Sequence, residues 1–114
     1  MGADKGMNSV LGPATPSIVG PYSYTHITAT GTNDAIKTGP GVLHCLQVNA
    51  PNAAAAVITI RDSLTSGAGT VIAIITTPAS ATVQIPSFVY DVVFSVGLSI
   101  NVATTAIDFT VSWK

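Results

Sequence analysis

Two histidines, one cysteine and five acidic residues, all of them Asp, are the side chains of this 114-residue chain best suited to proton transfer, nucleophilic attack or metal binding. His44 and Cys45 are adjacent, which suggests an imidazole–thiol pair. In a strand, however, neighbours point to opposite faces, so the two cannot form a dyad within one chain. A lone strand cysteine reads as a small hydrophobe. His26 belongs to no Cys/His/Asp cluster with metal-ligand spacing. Asp34, Asp62, Asp91 and Asp108 fall at strand or turn positions, where a short carboxylate holds a turn. No loop is acidic enough to form a calcium site. Gly39–Pro40–Gly41 and Gly67–Ala68–Gly69 are rich in glycine. Neither opens a helix, so the geometry of a phosphate cradle is missing. The residues predict a protein that is not an enzyme and carries no cofactor and no metal.

The aromatic residues offer binding rather than chemistry. Tyr22 and Tyr24 lie two apart and share one face of a strand. They could form a small platform for a sugar ring, or cover a contact between subunits, a role that tyrosine favours. Phe94, Phe109 and Trp113 fall on core-like faces instead.

The elements that must position these residues read as strands. Tyr22–Thr30 alternates, Gly31–Asp34 turns, and Ala35–Lys37 is a short strand ended by the turn Thr38–Gly41. In the strand Val42–Asn49, alternation sets Val42, His44, Leu46 and Val48 on one face and Leu43, Cys45 and Gln47 on the other. Ala56–Asp62 and the run Thr70–Thr76 form a hairpin. The second of these is so apolar that it predicts a strand buried on both faces. Thr82–Ile85, Tyr90–Phe94, Leu98–Val102 and Asp108–Lys114 follow. In the last, Ile107, Phe109, Val111 and Trp113 share the inward side. Pro51–Ala56 is the one helix candidate, too short to nucleate alone. About eight short antiparallel strands with turns roughly every ten residues predict a single β-sandwich or jelly roll.

Residues 22–114 form the sandwich domain in this reading. Residues 1–21 form an extended N-terminal arm, because Gly12–Pro13, Pro16 and Gly20–Pro21 prevent a helix. Val10, Leu11, Ile18 and Val19 are its apolar anchors, and with Tyr22 and Tyr24 they make up the candidate assembly contact.

Only 8% of residues are charged, although 47% are hydrophobic. Ordinary soluble domains carry about 25% charge. A surface built from Ser, Thr, Asn and Gln costs less to desolvate than a charged one. That composition favours a protein that works packed against other subunits. The net charge of −1 leaves no basic stripe for nucleic acid. The apolar runs are too short to span a bilayer. The first residues lack a positively charged stretch followed by an apolar run, so the expected origin is inside the cell.

The order of several short motifs resembles a known family. Thr38–Gly39–Pro40–Gly41–Val42–Leu43–His44 precedes Ala56–Val57–Ile58–Thr59–Ile60–Arg61–Asp62. Later come the stretch from Tyr90–Asp91–Val92–Val93–Phe94 to Ile100 and the closing Asp108–Phe109–Thr110–Val111–Ser112–Trp113–Lys114. This order resembles small structural proteins of tailed bacteriophages, over about residues 22–114. The resemblance implies a jelly-roll-like sandwich that assembles as a homotrimer, seated on major capsid protein at the capsid surface as a decoration or cement protein. It carries no catalytic residue across. The alternative expectation is a tail, fibre or surface domain that binds host glycan through Tyr22, Tyr24 and polar loops such as Thr65–Thr70.

Overall fold

The structure is a computed structural model and describes residues 21–114. Residues 1–20 of the arm, with its anchors Val10, Leu11, Ile18 and Val19, lie outside the described residues. The described residues form eight strands: β1 (Ser23–Ile27), β2 (Gly31–Thr38), β3 (Gly41–Ala50), β4 (Val57–Asp62), β5 (Thr70–Thr76), β6 (Phe88–Phe94), β7 (Gly97–Ala103) and β8 (Asp108–Trp113). They make two antiparallel sheets, ordered β1-β8-β3-β6 and β2-β7-β4-β5.

The pairing is nested. β4 pairs with β5, β3 with β6, β2 with β7 and β1 with β8. The chain is thus one long hairpin folded at the β4–β5 turn and rolled up, so that β3 meets β8 and β4 meets β7. Two sheets rolled in this way are a jelly roll. Every connection except β4–β5 crosses between the sheets.

The core lies between the inner faces. Leu43, Leu46, Ile58, Ile60, Leu98, Ile100, Phe109 and Val111 are fully buried, and Phe94 and Val102 nearly so. The alternation predicted for β4, β7 and β8 is the one observed. Period-2 patterning against a single core fixes register, because a one-residue slip would turn every apolar side chain outward.

Bulges account for the main departures from the sequence reading. On β3 the register shifts between Leu43 and Cys45 against both neighbours. One extra residue in a strand resets the alternation beyond it. Leu43 is therefore buried together with Leu46 and Val48, not opposite them. Strand β5 is not buried on both faces. It is the edge of its sheet, and Val71 and Ile74 are exposed. The expected turn at Gly31–Asp34 is the start of β2, which absorbs an irregularity between Asn33 and Lys37 with Ala35 at φ 48°. Pro51–Ala56 forms no helix and Thr82–Ile85 no strand.

Buried polar groups around the turns are mostly matched. Ser99, fully buried, accepts from the Ala35 amide at 3.0 Å and donates to the Ser63 carbonyl at 2.6 Å. Thr77 and Ala56 bond each other through backbone and hydroxyl. Such satisfaction removes the cost of taking polar atoms out of water.

Candidate functional site

The outer face of the β1-β8-β3-β6 sheet gathers both histidines, the cysteine and both tyrosines named from the sequence. Strand β1 turns Tyr24 and His26 outward beside Ser112 and Thr110 of β8. Tyr22 stacks on His44 with ring centroids 4.2 Å apart and planes 6° from parallel. The Lys114 amine stands 5.5 Å from the Tyr22 centroid, within cation–π range. One face of Tyr22 is thus taken by the imidazole, whereas Tyr24 is 73% exposed. The pair does not make a bare two-ring platform.

Each histidine ties an edge strand to its inner neighbour. His26 Nε2 of β1 meets Asp108 Oδ1 of β8 at 2.6 Å. His44 Nδ1 of β3 meets Asp91 Oδ1 of β6 at 2.5 Å. Asp91 sits at φ 49°, a left-handed conformation that Asp tolerates better than most residues. The β3–β6 register slips at the same place, so the two irregularities lie opposite each other and bring Asp91 to His44. Strict alternation hides this pairing. The available signal was an aspartate inside the otherwise apolar Phe88–Phe94.

The bulge also corrects the argument that His44 and Cys45 point to opposite faces. His44 reaches Asp91 and Tyr22, and the Cys45 thiol lies 3.0 Å from Ser112 Oγ, an outward residue of β8. Both serve other partners. The Cys45–Ser112 and His44–Asp91 contacts bind strands together. Among the described residues, no group of three His, Cys, Asp or Glu side chains could hold a metal ion.

Asp108 is the hub of the polar part of this face. Asn49 Nδ2 donates to Asp108 Oδ1 at 2.9 Å and to Thr110 Oγ1 at 3.0 Å. The Asn49 hydrogen bond first, then that from His26, holds the Asp108 carboxyl below its ordinary value of 3.8. A depressed folded value means a contribution that is present above 3.8 and lost as pH falls through the folded value. Carboxyl NMR should give Asp108 a midpoint below 3.8 in the folded protein. Asn49→Ala should raise that midpoint; an unchanged midpoint would contradict the assigned cause.

The β6 edge of the same face is apolar. Val89 is 64% exposed and Val93 81%, one on either side of Asp91, and Val96 beyond the strand is 52% exposed. The three-residue link between β1 and β2 sets those two edges on one side of the sandwich, so the β5 and β6 edges share the other. Exposed Val71 and Ile74 of β5 therefore lie on the side that also carries Val89 and Val93.

A cleft of about 180 Å³ opens where β3 runs past the start of β6. Val48, Asn49 and Pro51 line it from one side and residues 82–85 from the other.

Comparison with protein-family models, curated proteins and solved structures finds no match.

Proposed function

We propose that this chain is a structural subunit, not an enzyme. It decorates and stabilises a phage capsid, packing on major capsid protein as a homo-oligomer of trimeric type. The observation that carries the assembly part is the apolar β6 edge. Val89 and Val93 project from a strand whose outer ladder has no neighbouring strand among the described residues. Edge strands of lone soluble proteins are usually blunted by charge, proline or cover. The only charged side chain on β6, Asp91, is engaged by His44. Together with 8% charge overall, this leaves a surface suited to burial against another copy. A closed ring repeats one contact patch around its axis, and linked copies bind a lattice tightly through effective concentration. The jelly roll is compatible with this role but does not decide it, since the same architecture serves viral shells and lectins. The bacteriophage setting rests on the motif order set out above.

The test is the mass in solution, by light scattering after size exclusion, for the parent chain and Val93→Lys. The parent should run as a stable oligomer. Val93→Lys should weaken association by tenfold or more, since about 1.4 kcal/mol per contact is enough for that factor. Its monomer stability should change by less than about 0.5 kcal/mol, as for other surface positions. A monomeric parent, or an oligomer indifferent to Val93→Lys, would remove the β6 edge as the contact.

A further inference from the structure

The cleft beside β3 carries a donor and an acceptor in its main chain. The β3–β6 ladder runs to Leu46↔Phe88 and stops. Two residues further, the same register would set Val48 opposite Pro86. Proline has no N–H to give the Val48 carbonyl, so the ladder ends there. No backbone hydrogen bond joins Val48 to residues 82–87 among the described residues. Nor does β8 supply one. Val42 and Lys114 exchange both of their N–H···O bonds. Alternation along β8 then turns Ser112, Thr110 and Asp108 toward β3. Val48 stands opposite Phe109, the intervening residue, so its N–H and C=O point the other way, toward the cleft.

The side chains add to this pair. Asn49 spends its amide nitrogen on Asp108 and Thr110, which leaves its Oδ1 as an acceptor. The Gln84 amide has no partner among the described residues. Pro51, Val83 and Ile85 supply apolar wall, and among the described residues no charged residue lines the cleft. A peptide strand is a poor fit, because Val48 alone offers a free ladder position before Pro51. An ion is also a poor fit to an uncharged lining.

We propose that this cleft binds one neutral hexose ring through two adjacent hydroxyls. One hydroxyl donates to the Val48 carbonyl and its neighbour accepts from the Val48 N–H. Gln84 and Asn49 Oδ1 meet further hydroxyls, and the C–H face of the ring rests on Val83 and Pro51. The volume admits one ring, so the ligand is a free hexose or the terminal unit of a glycan. This site is separate from Tyr22 and Tyr24 and does not rest on the assembly reading. A failure here leaves the mass measurement untouched.

The experiment is an amide NMR titration of the full chain with methyl glucoside, methyl galactoside and methyl mannoside. At least one should give saturable shifts at the Val48 N–H and the Gln84 side-chain amide. A dissociation constant on the order of 1 mM is what a few hydrogen bonds and one apolar contact give. Val83→Trp, at a position already 44% exposed, fills the cleft and should abolish the shifts. Gln84→Ala should weaken binding severalfold. No saturable shift at Val48 with any of the three sugars, or full affinity retained in both variants, overturns the proposal.

Discussion

Phe109→Ala should cost the folded chain about 4 kcal/mol, the middle of the range for truncating a buried phenylalanine. Phe109 is fully buried on β8, an inner strand, with Ile27 of β1 on one side and Val48 of β3 on the other. All three belong to the apolar cluster between the sheets. Removing the ring forfeits its transfer free energy and leaves a void that two hydrogen-bonded neighbours cannot close. A domain of this size has only about 5–15 kcal/mol in total, so the loss is a large share. The melting temperature should fall by roughly 20 °C. Thermal or urea unfolding checks this, with Val93→Lys alongside as the exposed counterpart. If Phe109→Ala moved stability no more than Val93→Lys, the core described above would be wrong. Association should also weaken in Phe109→Ala, but only through the smaller population of folded subunits.

That contrast shows why the fold was readable and the site was only partly so. Burial with period 2 leaves a direct mark in the sequence. Ile58 and Ile60, then Leu98, Ile100 and Val102, then Ile107, Phe109 and Val111 all turn inward as alternation requires. Edges leave no such mark. Thr70–Thr76 is apolar enough to be central, yet it lies at the edge of its sheet with Ile74 61% exposed. Hydrophobicity reports that a residue must be covered, but not whether this chain or another copy covers it. The same ambiguity makes Val89 and Val93 informative only once β6 is seen at an edge.

Bulges hid the rest. A single extra residue at His44 changes which side chains of β3 face the core, and pattern reading has no local cue for it. Asp91 in a left-handed conformation is the matching irregularity on β6. Only the two together bring His44 to Asp91. Val48 shows a third case. Its donor and acceptor, without a partner among the described residues, follow from a proline 38 positions later, because register couples positions that spacing alone cannot relate.

Asp62→Ala should destabilise the chain by about 2 kcal/mol at neutral pH, in line with hydrogen bonds to a charged group. The sequence reading places Asp62 at a strand end holding a turn. The turn it holds is not its own but the β6–β7 connection. Oδ1 accepts from the Val96 amide at 2.8 Å and the Gly97 amide at 3.2 Å. Oδ2 accepts from the Ser95 amide at 2.9 Å and the Ser95 hydroxyl at 3.3 Å. Three successive backbone N–H groups thus converge on one carboxylate, where the chain leaves one sheet for the other. Nearby, Gly39 donates to the Val96 carbonyl and Ser63 to that of Gly97, so the β2–β3 turn and the end of β4 are fastened at the same point. The alanine variant leaves those three amides without their acceptor. Hydrogen bonds from the Ser95 and Val96 amides, the largest causes, keep the Asp62 carboxyl below its ordinary 3.8. With the folded value depressed, the stabilisation is complete above 3.8 and fades as pH falls through the folded value. Urea titrations at a series of pH values should therefore show the parent and Asp62→Ala far apart at pH 7 and converging in acid. A gap that stayed constant down to the acid end would mean that Asp62 acts through packing rather than through its charge. Because this clasp also sets the exposed Val96 at the end of the apolar β6 edge, Asp62→Ala should weaken association even at temperatures where the subunit remains folded.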